Sequence, residues 1–504
     1  MKTVRDLLSG INYNVIHGDL ETPIFQVVYD SRRITDNSLF VCIKGFVSDG
    51  HMFLRTAAQQ GATAIVIQKD QTVHSDSALM EICREFGCSL FSVEDSRQAL
   101  ASISANIFDT PCDHLCLYGI TGTKGKTTTT YMLRDIFLAA GKQSGLIGTV
   151  SNIIGDKVLP ASHTTPESYE LQAILADMVS AKLDNCVMEV SSQGLKLSRV
   201  HACRFAVGAF TNLYHDHIGA NEHADMDDYL DAKLQIFDIS ENALINTDCS
   251  VADKAIAYAR TRCNVYTYGM DKDADIIATD LRKEQKNGSI GTTFTLRSPW
   301  YNGEVFVSMP GRFNVYNALC ATGIAGIAGV PFDCVLSALA NAYVPGRIQF
   351  VPNPLAYQVY VDYAHNAASL ENLLETLREY CTGRLITVFG CGGNRSKTRR
   401  YEMGEIAGKM SDLTVITSDN PRNEDPMAII DDILQGFAKT DGDYLMEPDR
   451  KEAIRLALSQ AQKDDFVVIA GKGHENYQIF RDKTIHFDDA ETALALMTEM
   501  KSHE

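Results

Sequence analysis

The stretch LCLYGITGTKGKTTTTYMLRDIFLAAG, residues 115–141, constrains the fold more than any other. It opens as a short apolar run ending at Gly119. A Gly/Thr/Lys loop follows, and then a helical pattern with Met132, Ile136 and Ala140 on one face and Gly141 suited to its stop. An apolar strand feeding a glycine-rich loop that opens a helix is the context of a phosphate-binding loop. Glycines let backbone N–H groups converge on phosphate oxygens, and the helix N-terminus adds partial positive charge. Lys126 suits the β/γ oxygens of a nucleoside triphosphate and the Thr127 hydroxyl suits magnesium, with Gly122, Thr123, Lys124, Gly125 and Thr128 completing the cradle. Gly119 and Gly125 are separated by one residue more than the strict pattern has, so the loop is a variant.

Such a loop belongs to a parallel α/β sheet, and the flanking sequence agrees. Buried-strand runs recur at CVMEV (186–190), VGAFTNL (207–213) and ALIN (243–246), separated by helical stretches. Near 277–308 the pattern changes to IIATDL, GTTFTL and EVFVSM, which predict antiparallel hairpin strands. From PGRIQF onward, strands YQVYVDY, LITVFG, LTVITS and FVVIAG alternate with helical stretches. One of these carries Leu370, Leu373, Leu374 and Leu377 at i, i+3, i+4, i+7. That predicts a doubly wound, Rossmann-like unit, with ligands at the carboxyl ends of its strands. Before the loop, Gln26–Tyr29 and Leu39–Ile43 read as strands, and FLRTAAQQGATAIVI as helix, stop and buried strand. At ~150 residues per domain, 504 residues predict about three domains, placed at 1–108, 109–344 and 345–504.

Charge narrows the partners. A net charge of −18 argues against coating nucleic acid or an anionic membrane, yet a local cluster of Lys and Arg still holds a small phosphate. No apolar run approaches the ~18 residues of a membrane span, and MKTVRDLLSG lacks the apolar core of a signal peptide. Thirteen cysteines without CxxC pairing read as reduced thiols. A monomer in the cytoplasm is the expectation.

A phosphate loop also needs an acidic magnesium ligand at a neighbouring strand end. Glu189 in CVMEVSS is the candidate, and His217 in TNLYHDHIG follows another buried strand.

GTKGKTTT, HTTPES, EVSSQGL, TNLYHDH, GRFNVYNALCA, PGR, DYAHN, FGCGGNR, SDNPRNEDP and GKGHENYQ occur in this order, after DSRRITDNSLFVCIKGFVSDGH. Together they resemble the Mur ligases of peptidoglycan synthesis, three-domain ATP-dependent amide-forming enzymes, over essentially the whole chain. The resemblance implies a UDP-binding first domain, an ATP-binding second and an amino-acid-binding third. By motif, Ser31, Lys44 and Gly45 would contact the uridine nucleotide, and Thr164, Thr165, Ser191 and Arg199 the muramoyl-peptide of UDP-N-acetylmuramoyl-L-alanyl-D-glutamate. Lys126, Thr127, Asn314, Asn317, Arg347, Asp362 and His365 would line the ATP site. Glu189, His217 and Thr127 would hold magnesium. Lys233 matches the family's carbamate-bearing lysine, a further magnesium ligand.

The motif Asp419-Asn420-Pro421-Arg422 resembles that of members adding meso-diaminopimelate, whose distant carboxylate suits an arginine fork. Arg395, Gly471 and Glu475 match the same members' contacts. Lysine is the rival amino acid. A folylpolyglutamate or cyanophycin-type ligase, a P-loop NTPase switch and a paralogue with another acceptor are the remaining alternatives. The chain departs from the family's usual strings at DYAHNAAS, at DHIGANEH and at Leu197.

Overall fold

The computed structural model describes residues 2–45, 48–219, 222–286, 289–352 and 355–501. The chain is α/β and divides into two compact units. One comprises Met1–Ala278, Leu296–Asn302 and Tyr316–Ala338; the other comprises Thr279–Thr295, Gly303–Val315 and Leu339–Glu504.

The first unit contains two large sheets, besides the short antiparallel pairing of Lys2–Thr3 with Pro23–Ile24. Its N-terminal part builds a five-stranded sheet in the order Tyr13–His17, Ser89–Val93, Ala62–Gln68, Ser38–Val41, Gln26–Val28, parallel except at the first pair. The strand Ser38–Val41 is buried throughout, because apolar side chains pack on both faces: Leu39 with Val4, Leu7 and Leu100, and Phe40 with Leu54, Ile65 and Ile82.

The second sheet explains where a ligand belongs. Its parallel strands run Ser144–Ile147, Asn185–Glu189, Cys116–Thr121, Phe205–Phe210, Ser240–Asn246, Asn264–Gly269. An antiparallel hairpin, Ser151–Ile154 with Lys157–Pro160, extends the edge beside Ser144–Ile147. From Cys116–Thr121 the chain moves outward to Ser144–Ile147, returns to Asn185–Glu189, then crosses to Phe205–Phe210 on the other side. The order therefore reverses at Cys116–Thr121, and a crevice opens beyond its carboxyl end. The next helix, Lys126–Ala139, buries Met132, Leu133, Ile136 and Phe137, and Gly141 turns left-handed after it (φ 74°).

In the second unit a sheet runs Gln349–Phe350, Gln358–Asp362, Phe466–Ala470, Leu385–Phe389, Leu413–Ile416, Tyr444–Met446, parallel except at its first strand. Helices Ala367–Arg378, Lys397–Met410 and Pro426–Phe437 cover one face, with Leu370, Leu373, Leu374 and Leu377 in its core. Helices Arg450–Gln460 and Asp489–Lys501 cover the other, through Ile454, Leu458, Leu496 and Met497. This is the doubly wound arrangement expected from the alternation. The strands Ser289–Arg297 and Asn302–Val307 are neighbours. Among the described residues no helix is long and apolar enough to cross a membrane.

Candidate functional site

The loop Gly122–Gly125 is clasped from the neighbouring strand end. Thr123 N donates to Asn212 O (3.0 Å) and Lys124 N to Asn212 Oδ1 (2.9 Å), while Thr211 Oγ1 donates to Lys124 O (2.8 Å). Gly125 has φ 88°, and a Cβ there would stand 2.4 Å from Asn317 Oδ1, so only glycine lets the helix begin against Asn317. Lys126 Nζ curls over the loop, donating to Gly122 O (2.7 Å) and Thr123 O (3.0 Å). The Thr127 and Thr128 side chains are buried at the helix start.

Glu189, 1% exposed, ends the adjacent strand and faces the same point. It accepts from Thr127 Oγ1 at 3.0 Å on both oxygens, from Thr149 N (2.8 Å) and from Thr149 Oγ1 (3.1 Å). One carboxylate beside one hydroxyl is the donor set magnesium takes when phosphates and water supply the rest. Among the described residues no three His, Cys, Asp or Glu side chains group to hold an ion by themselves.

His217 and Lys233 come together around Tyr229, a residue no motif singled out. The Tyr229 hydroxyl lies 3.1 Å from Thr123 Oγ1. Lys233 Nζ stands 4.5 Å from the centre of its ring, and the His217 ring 5.9 Å. His217 sits in a left-handed turn (φ 56°) with Nδ1 3.1 Å from Glu222 Oε1. Lys233 is 1% exposed; burial and the nearby Lys126 charge push it well below an ordinary lysine, against the pull of Asp216.

A second set of contacts leads away from Glu189. Thr165 Oγ1 donates to Glu189 O (3.0 Å) and accepts from Ser191 N (2.9 Å); Thr164 Oγ1 meets Thr149 Oγ1 (3.0 Å). Arg199 Nη1 donates to Thr165 O (3.0 Å) and its Nε lies 3.3 Å from Glu167 Oε2. On the other side of Glu167, Arg97 Nη1 lies 3.6 Å from Oε1, and Arg97 Nη2 donates to Lys44 O (2.9 Å). Lys44 thus connects, through two arginines sharing one carboxylate, to the strand end bearing Glu189. Gly45 N donates to Ser48 O (2.9 Å), and Ser31 opens a short turn capped by Asp30. Arg97 and Glu167 stand apart in sequence, so periodicity gave no sign that they meet.

The second unit gathers its own set. Asp362, buried at a strand end, accepts from Ile348 N (2.7 Å) and Ala364 N (2.8 Å), and burial raises it above the usual carboxylate range. Arg347 lies 5.0 Å from the Tyr363 ring centre, which the His365 ring meets at 4.6 Å; burial lowers His365. Asn314 Nδ2 donates to Pro310 O (2.8 Å).

Around Gly392 three predicted residues converge. A Cβ built there would lie 3.1 Å from Arg422 Nη1, 3.8 Å from Asp419 Oδ1 and 3.9 Å from Arg395 Cγ. Arg422 occupies a left-handed backbone position (φ 53°) and donates from Nη1 to Gly393 O (2.7 Å). Asn420 Nδ2 donates to Glu475 Oε2 (2.8 Å), and Gly471, which follows the strand on the other side of Leu385–Phe389, has its Cβ direction 3.0 Å from Asp419 Oδ2. The two loops touch: a Cβ on Gly393 would fall 1.9 Å from Pro421 O. A guanidinium, a carboxylate and Glu475 at neighbouring strand ends suit a ligand carrying both a carboxylate and an ammonium.

Known proteins share this organisation. Residues 23–107 match "Mur ligase family, catalytic domain", 120–325 "Mur ligase middle domain", and 346–473 "Mur ligase, glutamate ligase domain". A protein of Clostridium acetobutylicum named UDP-N-acetylmuramoyl-L-alanyl-D-glutamate--2,6-diaminopimelate ligase 1 is 43% identical over 500 residues, 99% of either chain. One from Clostridium botulinum, named as the same ligase, is 41% identical over 98% of this chain and 99% of its own. A solved structure titled as that ligase superposes with a TM-score of 0.72 at 28% identity, covering 99% of this chain and 100% of that one. With three family descriptions met in order and relatives aligned end to end, the chain belongs to the Mur ligase family.

Proposed function

We propose that this protein is an ATP-dependent ligase that joins meso-2,6-diaminopimelate to the D-glutamate of UDP-N-acetylmuramoyl-L-alanyl-D-glutamate, in cytoplasmic peptidoglycan precursor synthesis. Residues 1–108 take the uridine nucleotide, 109–344 the ATP and 345–504 the amino acid. A carboxylate is a poor electrophile, so its oxygen first attacks the γ-phosphorus of ATP, releasing ADP and leaving an acyl phosphate. The amine of diaminopimelate then adds to that carbonyl. The tetrahedral intermediate loses a proton from nitrogen and expels phosphate, leaving an amide.

In this reading Gly122–Thr128 with Asn317 cradle the triphosphate, and Lys126 leaves the loop carbonyls for phosphate oxygens. Asn314, Arg347, Asp362 and His365 serve the nucleotide as well. Thr127, Glu189 and His217 would hold magnesium, which supplies charge neutralisation at the transferring phosphate. Lys233 fits the carbamate role. Its amine is buried and lies over a ring, and among the described residues it has no carboxylate at ion-pair distance. A neutral amine there adds to carbon dioxide, loses a proton and becomes an anion. Ser31, Lys44 and Gly45 meet the uridine end, while Thr164, Thr165, Ser191 and Arg199 meet the muramoyl-peptide. Arg395, Asp419, Asn420, Pro421, Arg422, Gly471 and Glu475 receive the amino acid.

The observation that carries the choice of diaminopimelate is the meeting of Arg395, Asp419 and Arg422 around Gly392. The test is phosphate release from ATP with UDP-muramoyl-dipeptide plus diaminopimelate, lysine or no amino acid. Release with diaminopimelate alone is expected. Release with lysine only, or without either substrate, overturns the reading.

A further inference from the structure

The second unit buries a charged pair that the proposed reaction does not use. Arg450 opens the helix capped by Asp449, and Asp489 opens the C-terminal helix; both side chains are 0% exposed. The guanidinium grips the carboxylate bidentately, Nε to Oδ1 and Nη2 to Oδ2, each 2.7 Å. Its remaining donors reach main chain: Nη1 to Ser418 O and Nη2 to Ala470 O, each 3.1 Å. Ala470 ends the strand Phe466–Ala470, and Ser418 lies just past the strand Leu413–Ile416. Between these two strands lies Leu385–Phe389, so one side chain spans an intervening strand.

The residues directly after those carbonyls are Asp419 and Gly471. They approach closely: a Cβ on Gly471 would stand 3.0 Å from Asp419 Oδ2. Gly471 is tied on its other side by its N–H to Asp362 O (3.0 Å), and Asp419 O accepts from Gln478 Nε2 (2.8 Å). A buried ion pair adds little net stability over a well-packed apolar pair. Its directional contribution differs, because two hydrogen bonds from one rigid fork fix the spacing of the two carbonyls.

We propose that Arg450, oriented by Asp489, is a positioning residue for the amino-acid site: it sets the separation of Asp419 and Gly471 and thereby selects the incoming amino acid. This rests on the ligase reading above and adds to it a residue that touches no substrate.

The experiment uses the full chain with two variants. Arg450→Met/Asp489→Leu replaces the pair by apolar side chains and leaves neither charge orphaned. Arg450→Lys keeps the charge but loses the fork. In the double variant, melting should stay cooperative though at a lower temperature, since the Ser418 and Ala470 carbonyls lose a donor, and the KM values for ATP and UDP-muramoyl-dipeptide should stay near wild type. The diaminopimelate KM should rise about tenfold, the scale of one lost positioned hydrogen bond. The preference for diaminopimelate over lysine in kcat/KM should narrow. Arg450→Lys should move the same constants the same way, and it decides the matter if the double variant does not fold. An unchanged amino-acid KM in a folded variant overturns the proposal, as does an equal fall in every constant. Should wild type use a different amino acid, the ligase reading fails separately, and the clamp is judged on that substrate's KM.

Discussion

Thr127 places its hydroxyl 3.0 Å from each carboxylate oxygen of Glu189, joining the helix start to the neighbouring strand end. Thr127→Val keeps the shape and removes the hydroxyl. Glu189 retains Thr149, so the fold should hold while ADP release falls about 10²-fold, the scale for losing one group at the transferring phosphate. Thr127→Ser should keep most activity. Steady-state ADP release with a parallel thermal melt checks both.

Lys233 lies under the face of Tyr229 with its amine buried. Lys233→Ala should abolish turnover, and added short-chain carboxylates should partly restore it by supplying the missing anion. Intact-protein mass at mildly alkaline pH should show wild type heavier by one carbon dioxide, lost on acidification. A fully active alanine variant contradicts the carbamate.

Arg422→Ala should raise the diaminopimelate KM by roughly 10- to 100-fold, as expected for a charged hydrogen-bonded partner worth about 1.5–3 kcal/mol, and leave the ATP KM unchanged. Arg422→Lys should recover little, since a point charge cannot replace a planar fork. Amino-acid saturation curves at fixed ATP decide it.

Glu167 stands between Arg97 and Arg199 at 3.6 and 3.3 Å. Glu167→Gln removes the charge both arginines face, so the KM for UDP-muramoyl-dipeptide should rise several-fold. In an Arg199→Ala background the same change should add less than it does alone, because part of its effect runs through that arginine. Additive losses in the double variant refute this coupling.

The parts legible in the sequence are those where one local pattern decides the structure. Leu370, Leu373, Leu374 and Leu377 announce a helix and its buried face, and all four lie in the core. The loop from Gly119 to Thr127 announces its strand and helix. The helix Lys397–Met410 opens on the polar run Lys397–Arg400, ahead of any apolar residue that would mark it. Arg400 there is buried between Asp432 (2.9 Å) and Glu424 (2.8 Å). The strand Tyr444–Met446 and the helix Arg450–Gln460 carry no such local signal: the strand is short and largely exposed, and the helix opens on a buried arginine. Tyr229 was invisible for another reason. Lys233 shares its helix one turn on, at i+4, but Thr123 and His217 arrive from other parts of the chain, which no spacing encodes.

Gly393 lies so close to Pro421 that no side chain fits between them, and the hydrogen bond from Gly393 N to Asn420 O (2.9 Å) fastens the contact. The turns FGCGGNR and SDNPR are therefore a single interlocked part. A library that varies only residues 419–422 explores only those sequences whose main chain still seats against a bare glycine. Redirecting this enzyme to another amino acid means exchanging both turns together, as a cassette, because neither can move without displacing the other.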